Sequence, residues 1–136
     1  MAVKRLSHVS LSSRDLAATE RFYVDIMGFK IAHEFYNAAG ERYGFFLSAG
    51  GGSFLECFQV MDAAAPGGMF RHLCFEVDDI ESFADHLRAR GFPEIVTRRG
   101  RTDRILQFFI RDPDGVEIEF QQHDEQSALR PFVAQD

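Results

Sequence analysis

The sequence repeats itself. Setting SHVSLSSRDL (7–16) beside RHLCFEVDDI (71–80) matches His8 to His72 and Leu16 to Ile80, each pair 64 residues apart. Further on, Gly28-Phe29 matches Gly91-Phe92 and Glu56 matches Glu119, now 63 residues apart, so a single-residue deletion separates the two sets of matches. The period is longer than that of solenoid units. With 136 residues there is room for one domain built of two small modules, but not for two unrelated domains. The two halves must therefore share one topology.

Local patterns supply that topology. His8 to Ser12 alternates with Val9 and Leu11 as the apolar positions, which predicts a half-buried strand. Ser13 to Met27 predicts a helix, with Leu16, Phe22, Tyr23, Ile26 and Met27 as its apolar stripe, Ser12 or Ser13 as its cap and Gly28 closing it. The second half repeats this with Asp78 or Asp79 as cap, Ile80, Phe83 and Leu87 inward, and Gly91 at the end. Three strands are expected after each helix: 29–36, 43–48 and 53–60, then 94–99, 105–111 and 116–122. Asn37 to Gly40, Gly50-Gly51-Gly52 and Asp112-Pro113-Asp114-Gly115 provide turn chemistry between them. No Gly-Lys-Ser/Thr follows the triple glycine, so it is not a phosphate loop. The expected fold is α+β, two tandem βαβββ modules at about 5–60 and 69–122. Residues 123–136, with Pro131 and mixed charge, form a terminal extension or dimer-packing arm.

Strand parity tests whether the repeated His and Glu residues can share a site, because alternate side chains share a face. His8 lies with Ser10 and Ser12, and His72 with Cys74 and Glu76, on the polar side of each strand. Glu119 shares a face with Glu117 and Gln121, opposite Ile118 and Phe120. Glu56 is the exception, since its face-mates are Phe54 and Phe58. A carboxylate among rings is costly to bury unless it is paired or bound to metal. Taken singly, each residue reads as an ordinary surface or structural group. At repeat-equivalent positions, His8, Glu56, His72 and Glu119 together predict one divalent metal ion per site. Two imidazoles and two carboxylates suit Zn, Ni, Co, Mn or Fe(II), and an octahedral ion would keep two positions open for water or substrate. His33, His86 and His123 have no repeat partner and stay outside the predicted site, as does Cys57, which faces away from Glu56. Cys74 shares the face of His72 but has no neighbouring base to make it a nucleophile.

Composition narrows the partners. A net charge of -6 argues against nucleic acid, although Arg98, Arg99, Arg101 and Arg104 form a local cluster, either a solvated loop or a contact for a substrate carboxylate or phosphate. No apolar run reaches the roughly 20 residues of a membrane span. Two cysteines without Cys-x-x-Cys spacing, and no signal-peptide pattern, fit a reduced cytoplasmic setting. Fifteen phenylalanines and no tryptophan suggest a core or pocket walled by rings that need no polar partner.

With SHVSL, FYVDIMGF, FLECF, RHLCFEV and DPDGVEIEF in view, the chain resembles the vicinal oxygen chelate superfamily over about residues 5–122. That group includes glyoxalase I, extradiol dioxygenases, methylmalonyl-CoA epimerase, and the fosfomycin and bleomycin resistance proteins. The order His8, Glu56, His72, Glu119 looks like the bacterial glyoxalase I ligand pattern. The resemblance implies a metal-dependent lyase or isomerase in which Glu56 or Glu119 moves a proton between adjacent carbons of a hemithioacetal. It also implies a homodimer, with the first His and Glu of one chain meeting the second pair of another. Two departures concern glutathione: Ser12 and Val60 stand where the family has arginine and asparagine. Extradiol dioxygenases use a three-ligand iron site in a longer chain, and ligand-sequestering resistance proteins lack the metal set. An epimerase, a dioxygenase and a sequestering protein are the alternatives.

Overall fold

Each half is organised by a parallel pair of strands that a helix and a hairpin must bridge. The computed structural model describes residues 6–60, 70 and 72–133. Residue 5, the expected module start at 69 and the last residues of the extension, 134–136, lie outside the described residues. The chain divides into two units, Met1–Ala65 and Pro66–Asp136. Each has the expected βαβββ order, and the fold is α+β.

In the first unit, β1 (His8–Ser13) leads to α1 (Leu16–Glu20), which continues through a π-helical turn at Arg21–Ile26. Strands β2 (Lys30–Tyr36), β3 (Arg42–Gly50) and β4 (Ser53–Gln59) follow, in sheet order β1-β4-β3-β2. The helix begins later than its pattern predicts, because β1 runs on through Ser13. Asp15 is the cap: its Oδ1 accepts from Ala17 N at 3.0 Å and Ala18 N at 3.2 Å. Ser13 is buried instead, its hydroxyl 2.6 Å from that of Thr19. Phe45, Leu47, Leu55 and Cys57 form the buried face of β3 and β4, and Leu16, Phe22, Tyr23 and Met27 are the buried residues of the helical segment. The opposite face of β4 carries Phe54, Glu56 and Phe58, all half-buried.

In the second unit, β5 (Leu73–Glu76), α2 (Ile80–Arg88), β6 (Arg98–Arg99), β7 (Leu106–Arg111) and β8 (Glu117–Gln122) form a sheet in the order β5-β8-β7-β6. Asp79 caps α2, accepting from Ser82 N at 3.0 Å; that bond holds its carboxyl below its ordinary value. The strand expected at 94–99 shrinks to Arg98–Arg99. Ile95 is buried, and its carbonyl accepts from Arg88 Nε at 3.2 Å and Nη2 at 3.1 Å, so this stretch is anchored to α2 rather than to the sheet ladder. The Asn37 and Asp112 turns close as their chemistry predicts. Asn37 Oδ1 accepts from Ala39 N and Glu41 N, and Asp112 Oδ1 from Asp114 N and Val116 N.

The repeat survives in the hydrogen-bond registers. Val9↔Leu55 in the first unit corresponds to Leu73↔Ile118 in the second, Phe46↔Glu56 to Phe109↔Glu119, and Phe35↔Gly44 to Arg98↔Gln107. Positions matched in sequence are therefore also matched in pairing, and side chains directly opposite each other share a face.

One glycine is required by packing rather than by backbone angle. A Cβ on Gly44 would stand 2.4 Å from Phe58 Cδ1 and 2.6 Å from the Cys57 carbonyl oxygen. The Phe58 ring lies across the strand at that point. Gly44→Ala should cost about 1–3 kcal/mol of stability, the usual range for overpacking. Denaturant unfolding checks this, and a midpoint unchanged from wild type would refute the close approach.

Candidate functional site

Parallel pairing places a histidine-bearing strand directly beside a glutamate-bearing strand in each unit. In the second unit, Cys74 pairs with Glu119, which sets His72, two residues before Cys74, on the same side of the sheet. His72 Nε2 lies 3.6 Å from Glu119 Oε2. In the first unit, His8 pairs with Phe54 and Ser10 with Glu56, so His8 and Glu56 again share a face on adjacent strands. His8 is exposed and Glu56 half-buried. Among the described residues, no three His, Cys, Asp or Glu side chains gather as a metal-binding group. The structure thus brings the predicted residues together as pairs, one in each unit.

Glu119 is the residue whose setting is most demanding. It is 5% exposed, yet among the described residues no lysine or arginine forms an ion pair with it. Its Oε1 accepts from the Gln121 side-chain amide and from Cys74 Sγ at 3.3 Å, which leaves Oε2 turned towards His72. A buried carboxylate without a cation is costly. The separation of 3.6 Å is longer than a hydrogen bond. It is close to that of two donors on one ion, which stand roughly 3–3.5 Å apart when each bond is about 2.0–2.2 Å. The donor set therefore fits a divalent ion. Cys74 is no nucleophile: desolvation of its sulfur first, and then the charge of Glu119 and their hydrogen bond, push its thiol well above the ordinary value.

Each histidine is held by a phenylalanine that residue-by-residue reading does not single out. His8 meets Phe46 edge-on at 5.4 Å and 81°, and His72 meets Phe109 at 5.5 Å and 88°. Phe46 pairs with Glu56 and Phe109 with Glu119 across their hairpins, and the two phenylalanines are themselves 63 residues apart. That spacing was the available signal. Phe109 also walls a shallow cavity of about 520 Å³, with Phe92, Pro93, Glu94 and Val96 around it.

The other three histidines have contacts of their own. His33 is exposed and lies edge-on to Phe35, His86 stacks on Phe83, and His123 Nδ1 meets Ser127 Oγ at 2.9 Å.

Two of the four arginines near residue 100 are structural. Arg99 grips Asp124 with both terminal nitrogens, at 3.0 and 2.6 Å, and Arg104 Nη2 donates to Gln126 Oε1 at 3.2 Å. Ala128 N donates to the Asp103 carbonyl at 2.8 Å, so the first part of the C-terminal extension is tied to this loop. Arg98 and Arg101 are exposed. The Arg99 guanidinium holds the Asp124 carboxyl down at about 2, below its ordinary 3.8. A depressed carboxylate stabilises the folded state fully above its unfolded value, and the contribution is lost as pH falls through the folded value. The tie should therefore hold above about pH 4 and fail towards pH 2. Hydrogen exchange at the Ala128 amide reads this out: wild type should lose protection in that window, and Asp124→Asn should lack the acid step. An identical acid step in the variant would contradict the assignment.

Comparison with known proteins agrees with the fold. The model of the Glyoxalase/Bleomycin resistance protein/Dioxygenase superfamily matches residues 5–120. The Escherichia coli protein YaeR is 29% identical over 125 residues, covering 88% of this chain and 96% of YaeR. A probable lactoylglutathione lyase of Vibrio cholerae is 31% identical over 133 residues, covering 90% and 94%. Among solved structures, a glyoxalase family protein from Enterococcus faecalis superposes with a TM-score of 0.72 at 27% identity, covering 87% of this chain and 97% of that one. Among the described residues, no helix is long and apolar enough to cross a membrane.

Proposed function

Because the chain belongs to the Glyoxalase/Bleomycin resistance protein/Dioxygenase superfamily, we propose that it is a metal-dependent lyase or isomerase of the glyoxalase I type, moving a proton next to a carbonyl or hemithioacetal. The observation that carries this reading is the buried Glu119 carboxylate facing His72 at 3.6 Å with no lysine or arginine paired to it among the described residues. The repeat-equivalent His8 and Glu56 supply the matching pair. The four residues would hold one divalent ion, Zn, Ni, Co, Mn or Fe(II), if the two pairs meet within a chain or across a two-fold homodimer. Such an ion supplies Lewis-acid stabilisation of negative charge on a substrate oxygen.

The chain's own groups then divide the remaining work. Glu119 is a positioned ligand, because Gln121 and Cys74 fix its Oε1 and leave Oε2 to face His72. Glu56 has no hydrogen bond among the described residues and stands between Phe54 and Phe58. It is the carrier that takes the proton from one carbon and returns it to the next. Phe46 and Phe109 hold the two imidazole rings in orientation. Ser12 and Val60, where the family has arginine and asparagine, favour a substrate other than a glutathione adduct. The similarity to a probable lactoylglutathione lyase supports the reaction class.

The test is metal content of the purified protein, then titration of the metal-free form, with solvent-deuterium exchange into a 2-oxo or 2-hydroxy substrate as the activity. Wild type should bind about one ion per site. Glu56→Gln should bind it more weakly and lose about 10²–10⁴-fold in exchange rate, the usual contribution of a general base. A wild-type protein that binds no divalent ion would overturn the proposal.

A further inference from the structure

The two units repeat their backbone but not the face that carries the glutamate. In the first unit five rings form a continuous surface. Tyr43 stacks on Phe58 at 5.9 Å and 14°, Phe58 meets Phe35 at 5.2 Å, Phe35 meets Phe46 at 5.5 Å, and Phe46 meets Phe54 at 6.4 Å. Glu56 lies within it, paired with Phe46 on β3 and flanked along β4 by Phe54 and Phe58. At the corresponding positions the second unit keeps only Phe109. Arg98 stands for Phe35, Glu117 for Phe54 and Gln121 for Phe58, as the matched registers require. The ring surface is thus a property of one unit's sequence and not of the shared fold.

Two features argue that this surface receives a ligand. Tyr43 is 42% exposed and the four phenylalanines are half-buried, so faces and edges of the rings remain available. A carboxylate set among them, with no hydrogen bond among the described residues, is ill suited to a permanently closed apolar interface. Gly44 adds a third, since the absence of a Cβ lets the Phe58 ring lie close against β3.

We propose that this surface binds the planar aromatic substituent of the substrate, placing the oxygenated carbon that carries it beside Glu56. A ring entering here finds edge-to-face and offset partners at the spacings that aromatic pairs prefer, and it shields the Glu56 carboxylate from water. The substrate is then an aryl-substituted 2-oxo or 2-hydroxy compound rather than a short aliphatic one. The proposal rests on the reading of this face as the substrate face.

The test compares mandelate with lactate, which share the same vicinal oxygens and differ in phenyl against methyl, by calorimetric titration of the full chain with and without added Zn or Ni. Wild type should bind mandelate about tenfold more tightly than lactate, the scale expected for one ring packed against others. Phe58→Leu, which keeps apolar volume but loses the plane, should cut that ratio to about twofold. Tyr43→Ala, at the exposed rim, should lower the ratio in the same direction. Equal affinity of wild type for the two acids would overturn the proposal. So would an unchanged ratio in Phe58→Leu, and a shift in its monomer–dimer balance would then assign the surface to a second copy. The readout is a ratio of affinities, so a protein that keeps the ratio but shows no metal-dependent proton exchange would overturn the reaction assignment and leave the ring site standing.

Discussion

The parallel pairing of β1 with β4, and of β5 with β8, is the constraint on which the remaining structure depends. It sets a strand with histidine at or just before its start against a strand that carries glutamate at its centre. A slip of one residue in either ladder would turn His8 or Glu119 to the opposite face. The register is held by burial on the other side, where Leu55 and Cys57 in one sheet and Ile118 and Phe120 in the other are almost wholly buried. Apolar packing towards the helix thus fixes where the polar groups on the far face must stand. The helices matter to the site through this indirect route.

Much of the site was legible because strands have a period of two and the chain contains its pattern twice. The alternation of Glu56 with Leu55 and Cys57, and of Glu119 with Ile118 and Phe120, predicted the faces these carboxylates occupy. Asp79 was recognisable as a cap because it precedes an apolar stripe, and it bonds Ser82 N as such a residue should. What was not legible depends on pairing between distant strands. Phe46 and Phe109 face the glutamates only because β3 and β7 fold back in a particular register, which no local pattern encodes. Their 63-residue separation was in the sequence, but a repeated phenylalanine in a chain with fifteen of them carries little weight before the fold is known.

The helix start and the short β6 failed for a different reason: competing partners. Ser13 could have capped α1, but its hydroxyl is taken by Thr19 and its backbone by β1, so Asp15 assumes the role. The residues before Arg98 have strand-like composition, yet the Ile95 carbonyl is claimed by Arg88 from α2. The arginine cluster shows the same limit. A run of like charges reads as a solvated loop or an anion contact, whereas Arg99 and Arg104 find their partners in Asp124 and Gln126, more than twenty residues away in the chain.

The two glutamates show how a repeated fold can yield unequal chemical groups. Glu56 and Glu119 occupy the same register position, next to strands of the same direction and opposite phenylalanines of the same spacing. Their immediate neighbours differ. Gln121 and Cys74 donate to Glu119, whereas the positions matching them in the first unit are Phe58, which offers no donor, and Ser10, which makes no hydrogen bond to Glu56 among the described residues. Hydrogen bonds hold a carboxylate in one orientation, while a carboxylate without donors keeps its freedom to turn. The proposed reaction would give the first kind the part of a fixed ligand and the second that of a proton carrier. Divergence at two side chains on otherwise matching backbones is enough to separate those duties.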